Sequence, residues 1–144
     1  FRRVLFRSLL VKVLPYHPFL VKPNNHELGE IFGVKLSTRE EVVPYGKKLQ
    51  EMGAQNVLIS MAGEGAVLIA ADGQSVEAPA PKGTLVNGVG AGDSMVAGFL
   101  TGWMEKKDYV HAFHMGIAAG SASAFSENLA TREEIMQVLQ QVEQ

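Results

Sequence analysis

Phe19-Leu20-Val21-Lys22-Pro23-Asn24-Asn25-His26-Glu27-Leu28 is the stretch on which the fold turns. An apolar run closes at a proline, and the residue after it opens a helix. Phe19 to Lys22 reads as a short buried strand. Asn24 is a preferred N-cap residue, the helix it starts runs to Phe32, and Gly33 is the stop signal. A strand that feeds a helix across two residues is the building unit of an α/β layer.

The same alternation continues downstream. Thr38-Arg39-Glu40-Glu41 is a capping box, in which hydroxyl and carboxylate satisfy each other's free backbone N–H groups. Val42, Tyr45, Leu49 and Met52 follow at helical spacing, and Gly53 ends that helix. Val57 to Met61 reads as a second buried strand and Ala66 to Ala71 as a third. Asp72-Gly73 makes a tight hairpin and Gln74 to Ala78 returns. A connector rich in Pro and Gly, Pro79 to Gly83, leads to Asn87-Gly88-Val89-Gly90-Ala91-Gly92-Asp93. Asp93 to Lys106 reads as a helix with Met95, Val96, Phe99, Leu100 and Trp103 on its apolar side. Asp108 to about Phe125 is another. Thr131-Arg132-Glu133-Glu134 is a second capping box, before a stripe of Ile135, Val138, Leu139 and Val142. The two tetrapeptides are one capping device used twice, with no repeat around them. The expectation is one α/β domain: a parallel-type sheet covered by helices, with a hairpin inserted.

Composition excludes several functions. The chain has 144 residues, 47% hydrophobic and 19% charged, which is ordinary for a globular protein. A net charge of −2 argues against nucleic acid or an anionic membrane as the main partner. There is no cysteine, so disulfides, thiolate metal sites and cysteine nucleophiles are excluded, which fits a reducing cytoplasm. No run approaches the roughly 18 apolar residues that mark a membrane span. Phe1-Arg2-Arg3-Val4-Leu5-Phe6-Arg7-Ser8 looks like the read-through of a sequencing adapter, so residues 1–8 are set apart as non-native and residues 9–144 carry the reading.

Three segments carry chemistry. Asn87 to Asp93 places three glycines before a helix, so the amides of Gly90, Ala91, Gly92 and Asp93 point out of a helix N-terminus, a ready anion site. The plain alternative is a glycine turn with a capping Asp. The spacing fits neither a dinucleotide fingerprint nor a Walker loop. Ser60-Met61-Ala62-Gly63-Glu64-Gly65 lies at the C-terminal end of a strand, where ligands bind in open α/β sheets; otherwise it is a hairpin turn. Asn24 and Glu27 share the face of a first helical turn and can hold water around Mg²⁺, or can simply cap the helix. His111 and His114 sit three apart with no further ligand set, which points to packing or surface roles. The small-sided helix of Gly116, Ala118, Ala119, Gly120, Ala122 and Ala124 suits close helix packing or a floor for a flat base.

Together these pieces resemble the C-terminal half of the PfkB (ribokinase-like) carbohydrate kinase family. Asn87 to Ser94 resembles its second signature, Lys22 to Glu27 its Asn-x-x-Glu motif, and Ser60 to Gly65 its nucleotide phosphate loop, in the family's order. Within the family, Val21 to Gly29 and Ala91 to Phe99 look typical of the branch that phosphorylates D-fructose 1-phosphate, with tagatose-6-phosphate kinases very similar. The resemblance implies a ribokinase-like layered fold, here an incomplete domain, and ATP-dependent phosphorylation of a sugar phosphate. It implies Asp93 as general base, with Gly90, Ala91 and Gly92 amides around the transferring phosphoryl. It implies Ser60, Met61, Ala62, Gly63, Glu64 and Gly65 around the ATP phosphates, Asn24 and Glu27 on Mg²⁺ through water, and Ala119 and Ser123 at the adenine. A homodimer of the full-length protein is compatible with it. Gly88 departs from the Ser or Thr more usual there. The family's N-terminal half, with the lid and most sugar contacts, has no counterpart in this sequence, so the expectation is a fragment with little activity alone and an exposed apolar sheet edge. A non-catalytic nucleotide- or phosphate-binding module is the alternative.

Overall fold

The computed structural model describes residues 9–144; the adapter-like residues 1–8 lie outside them. The described chain forms two compact units that meet in sequence at Pro79 and Ala80, inside the Pro/Gly-rich connector. Among the described residues no helix is long and apolar enough to cross a membrane.

The first unit opens with helical residues 9–13 and a 3₁₀ turn, Leu14–Tyr16. Strand β1 (Leu20–Val21) follows, then helices α1 (Asn25–Phe32) and α2 (Arg39–Glu51). Strands β2 (Asn56–Ser60), β3 (Ala66–Ile69) and β4 (Ser75–Ala78) complete a four-stranded sheet in the order β1-β2-β3-β4. Only the β1–β2 pair is parallel; β2–β3 and β3–β4 are antiparallel. The expected parallel sheet with a hairpin is therefore two antiparallel strands added to one parallel pair. In the unit as described, β1 is an edge strand and uses one of its two hydrogen-bonding sides.

The caps form where the sequence places them. Asn24, Thr38 and Thr131 each accept from the backbone N–H three residues on, and Glu27, Glu41 and Glu134 each return to the cap residue. Gly33 ends α1 with φ 68, a left-handed conformation that favours glycine. The core joins Val57, Ile59, Val67 and Ile69 of the sheet to Leu28, Val42 and Leu49 of the helices. Gly46 lets α2 lie on this sheet, since a Cβ there would come within 2.7 Å of the Ile69 side chain. Gly46 is buried with Val42 and Leu49 of the expected stripe, while Met52 falls just past the end of α2 and is exposed. Asn56 is fully buried and satisfied: its amide donates to Phe19 O at 2.9 Å and its carbonyl accepts from Ala71 N at 2.7 Å. It ties the start of β1 to the β3–β4 hairpin.

The second unit contains helices α3 (Ala91–Lys106), α4 (Tyr109–Ala124) and α5 (Arg132–Glu143). Asp108 caps α4 by accepting from Val110 N at 2.8 Å. Helices α3 and α4 cross closely because glycines pair across them. A Cβ on Gly98 would stand 2.6 Å from Met115 O, and one on Gly116 would stand 3.0 Å from Met95 O. The buried face of α3 is thus Gly98, Phe99 and Gly102. Leu100, read from sequence as part of the apolar side, is exposed. The α5 stripe holds, with Leu139 buried and Ile135, Val138 and Val142 half-buried.

Candidate functional site

The first unit brings two of the expected segments together. Asn24 bridges Ser60 in parallel register, and Ser60 N donates to Pro23 O at 3.1 Å. The N-cap of α1 and the loop after β2 therefore share the C-terminal edge of the one parallel strand pair, the edge at which open α/β sheets take ligands.

At that edge Asn24 and Glu27 form a complete capping box. Asn24 Oδ1 accepts from Glu27 N at 2.7 Å and Glu27 Oε1 accepts from Asn24 N at 2.8 Å. The plain alternative, a helix cap, is realised. It engages one lone pair of the single Asn24 side-chain oxygen and one of the two Glu27 oxygens, and leaves Glu27 Oε2 without a protein partner among the described residues. Those residues contain no cluster of three or more His, Asp, Glu or Cys with metal-binding geometry. A cation here would be held through water, since one carboxylate cannot fill a first coordination sphere; Mg²⁺, which keeps several of its waters, suits that donor set.

The Ser60–Gly65 loop divides by role. Met61 is buried in the core, so only its backbone belongs to the loop surface. Met61 N donates to Gly65 O, Glu64 N to Met61 O and Gly65 N to Ala62 O, which closes the turn on itself. The amides of Ala62 and Gly63 and the Ser60 hydroxyl meet no acceptor among the described residues. Gly65 is glycine for the fold: its φ is 102 and a Cβ would lie 2.0 Å from Ala78 O. Gly63 has open space around it. Ala62 holds φ 47, a left-handed conformation that costs a residue with a Cβ roughly 1–2 kcal/mol. The loop is both the hairpin turn and the carrier of two amides without an acceptor among the described residues.

In the second unit α3 starts at Ala91, two residues before the expected start. Gly90 is the N-cap, with φ 83 and no side-chain cap. Asp93 is therefore not the cap; it sits in the first turn and is exposed. Ala91 N reaches Gly88 O at 3.3 Å and Ser94 N closes the helix on Gly90 O at 2.9 Å. The amides of Gly90, Gly92 and Asp93 have no acceptor among the described residues. Ala91 thus drops from the expected amide set, whereas Gly90, Gly92 and Asp93 stay in it. An exposed carboxylate beside open amides at a helix N-terminus pairs a proton acceptor with an anion-binding surface.

The turn is held from behind by the end of α4. Val86 N and Asn87 N both donate to Ala124 O, at 2.9 and 3.1 Å, and Asn87 Oδ1 accepts from Val89 N at 3.0 Å. Ser123 donates its hydroxyl to Ser94 Oγ at 2.8 Å. The resemblance puts Ser123 at the adenine and carries no sign of this bond, because two serines twenty-nine positions apart leave no local signal. Ala119 and Ser123 do border an open cleft of about 660 Å³, with Ala97, Ile135 and Leu139 among its walls. His111 faces Glu105 at 3.4 Å. Burial holds the half-buried His114 below the usual imidazole range, with His111 opposing its charge as well and Glu143 and Asp108 working the other way.

With this geometry in place, likeness to known proteins decides the family. The model of the pfkB family carbohydrate kinases matches residues 3–136. The chain belongs to this family. It is 53% identical over 133 residues to a 1-phosphofructokinase of Bacillus subtilis, covering 92% of this chain and 44% of that protein. It is 36% identical over 136 residues to a D-tagatose-1-phosphate kinase of Bacillus licheniformis, covering 94% of this chain and 44% of that one. A crystal structure of a protein described as a phosphofructokinase, from Staphylococcus aureus, superposes with a TM-score of 0.88 at 40% identity, over 93% of this chain and 44% of that one. The fold is thus the ribokinase-like α/β fold of these kinases, and the chain spans under half the length of the relatives it matches.

Proposed function

We propose that residues 9–144 form the C-terminal, phosphoryl-handling part of an ATP-dependent sugar-phosphate kinase, with D-fructose 1-phosphate as acceptor and fructose 1,6-bisphosphate as product. The observation that carries this reading is the first turn of α3, where the exposed Asp93 carboxylate stands beside the open amides of Gly92 and Asp93. The 53% identity to a 1-phosphofructokinase supports the choice of sugar phosphate. Asp93 takes the proton from the attacking sugar hydroxyl, a role worth about 10²–10⁴-fold in rate. The amides of Gly90, Gly92 and Asp93 stabilise charge on the transferring phosphoryl, about 3 kcal/mol for a well-placed donor. Ser60 and the amides of Ala62 and Gly63 take the ATP phosphates. Glu27 Oε2 and Asn24 would hold Mg²⁺ through water, and the ion would neutralise phosphate charge there. Ala119 borders the nucleoside.

The test is turnover by the full-length protein, with its reading frame extended upstream to the length of its relatives. Wild type is expected to phosphorylate D-fructose 1-phosphate with ATP, and Asp93→Asn to lose at least a hundredfold in kcat while ATP affinity holds. Near-normal turnover by Asp93→Asn would sink the role of the base. ATP binding without turnover on any sugar phosphate would favour a non-catalytic nucleotide-binding module. A second acceptor has a specific observation in its favour: the likeness to a D-tagatose-1-phosphate kinase makes D-tagatose 1-phosphate the first competing substrate to assay.

A further inference from the structure

We infer that Ser123 is a positioning residue for the first turn of α3, acting through Ser94 rather than by touching nucleotide; this rests on the kinase reading above. Three contacts from one turn of α4 converge on the glycine loop. The Ser123 hydroxyl donates to Ser94 Oγ at 2.8 Å. Ala124 O accepts from both Val86 N and Asn87 N, which fixes the strand of the loop that enters the turn. Gly120 lies directly behind the turn, since a Cβ there would stand 3.1 Å from Ala91 O.

Ser94 follows Asp93 and is the first residue whose own amide is satisfied inside α3, through Gly90 O at 2.9 Å. Holding its side chain therefore holds the junction between the regular helix and the open amides. The bond is nearly buried, with Ser123 7% exposed, so water competes poorly for it. Because Ser94 accepts, its own hydroxyl hydrogen remains available toward the cleft that both serines line. A shift of well under 1 Å in a turn that binds a transferring group changes kcat more than ground-state affinity.

A double-mutant cycle in the full-length protein tests this. Ser123→Ala and Ser94→Ala are each expected to lower kcat about fivefold, with KM for ATP within twofold of wild type. The double variant is expected to be no worse than either single one, because one bond is lost in all three. Ser123→Thr keeps the hydroxyl, its extra methyl has the cleft to occupy, and it should restore kcat. Additive losses, or a rise in KM for ATP with kcat unchanged, would overturn the inference and make Ser123 a nucleotide contact. A fall in melting temperature with kcat unchanged would overturn it in favour of plain packing. If wild type shows no turnover, the kinase reading fails, and the inference that rests on it is overturned with it.

Discussion

Glu27 divides its carboxylate between two tasks: Oε1 accepts from the Asn24 backbone at 2.8 Å, and Oε2 points to no protein partner among the described residues. The cap and the proposed cation role can therefore be separated. Glu27→Gln keeps an acceptor for the Asn24 amide, since Gln serves in a capping box as well as Glu does. Its melting temperature should stay near wild type, while the Mg²⁺ concentration for half-maximal turnover in the full-length protein rises severalfold. Asn24→Ala loses the acceptor for Glu27 N and should cost about 1 kcal/mol in denaturant unfolding. A large stability loss in Glu27→Gln would show that charge, not the hydrogen bond, holds the cap.

Two carboxylates should make stability fall in acid. Backbone N–H groups of Ser37 and Thr38 hold Glu41 below the usual carboxylate range. The Ser126 hydroxyl, then the Thr131 N–H, does the same for Glu134. A carboxyl depressed in the folded state stabilises fully above its unfolded value, about 4.3, and loses that contribution as pH falls through the folded value below it. The part of the melting temperature due to these two carboxylates should thus be flat from neutrality to about pH 5 and decline beneath, separate from the loss that begins below about pH 6.5 because burial disfavours the charged form of His114. Glu41→Gln and Glu134→Gln should each flatten the decline, because a neutral amide has no proton to take up. An unchanged acid limb in both variants would remove the capping boxes as its source.

What was legible in the sequence was whatever local hydrogen bonding decides. Asn24, Thr38 and Thr131 cap as read because each cap and its Glu lie three residues apart and need nothing distant. The Asp72-Gly73 hairpin formed for the same reason. Misplaced features depend on what packs where. The apolar pattern of α3 runs through Leu100, yet Gly98 and Gly102 set the contact face with Phe99, and glycine carries no hydrophobic signal. Helix α3 began early because Gly90 takes the cap with its backbone, so the carboxylate of Asp93 was not needed there. In the Ser60–Gly65 loop the sequence marks the turn but not that the Met61 side chain packs in the core, because burial depends on residues far along the chain.

The loop after β2 should respond oppositely at its two glycines. Gly65→Ala must accept φ 102 and a Cβ 2.0 Å from Ala78 O, a backbone atom that cannot step aside cheaply. A loss on the order of 3 kcal/mol is expected in urea unfolding. Gly63→Ala meets nothing within 4 Å and should remain within about 0.5 kcal/mol of wild type. Equal stability in both variants would mean that the hairpin relaxes around position 65.

The glycine turn before α3 allows a sharper contrast, because Gly88 and Gly90 are both open but only one is conformationally committed. Neither would bring a Cβ within 4 Å of another atom, whereas Gly90 alone holds a left-handed φ, at 83. Gly90→Val should therefore cost stability, about 1–2 kcal/mol for forcing a residue with a Cβ into that region, and more for a β-branched one. It should also weaken binding of ATP, since the amides that follow depend on that turn. Gly88→Ser has room for its side chain and an ordinary backbone, so the fold should tolerate it within about 0.5 kcal/mol. The added hydroxyl stands two residues from the open amide of Gly90 and supplies a further donor for an anion. ATP affinity by calorimetry should hold or rise in Gly88→Ser and fall in Gly90→Val. If both variants bind ATP as wild type does, the first turn of α3 is not the anion site and Asp93 loses its setting as a base.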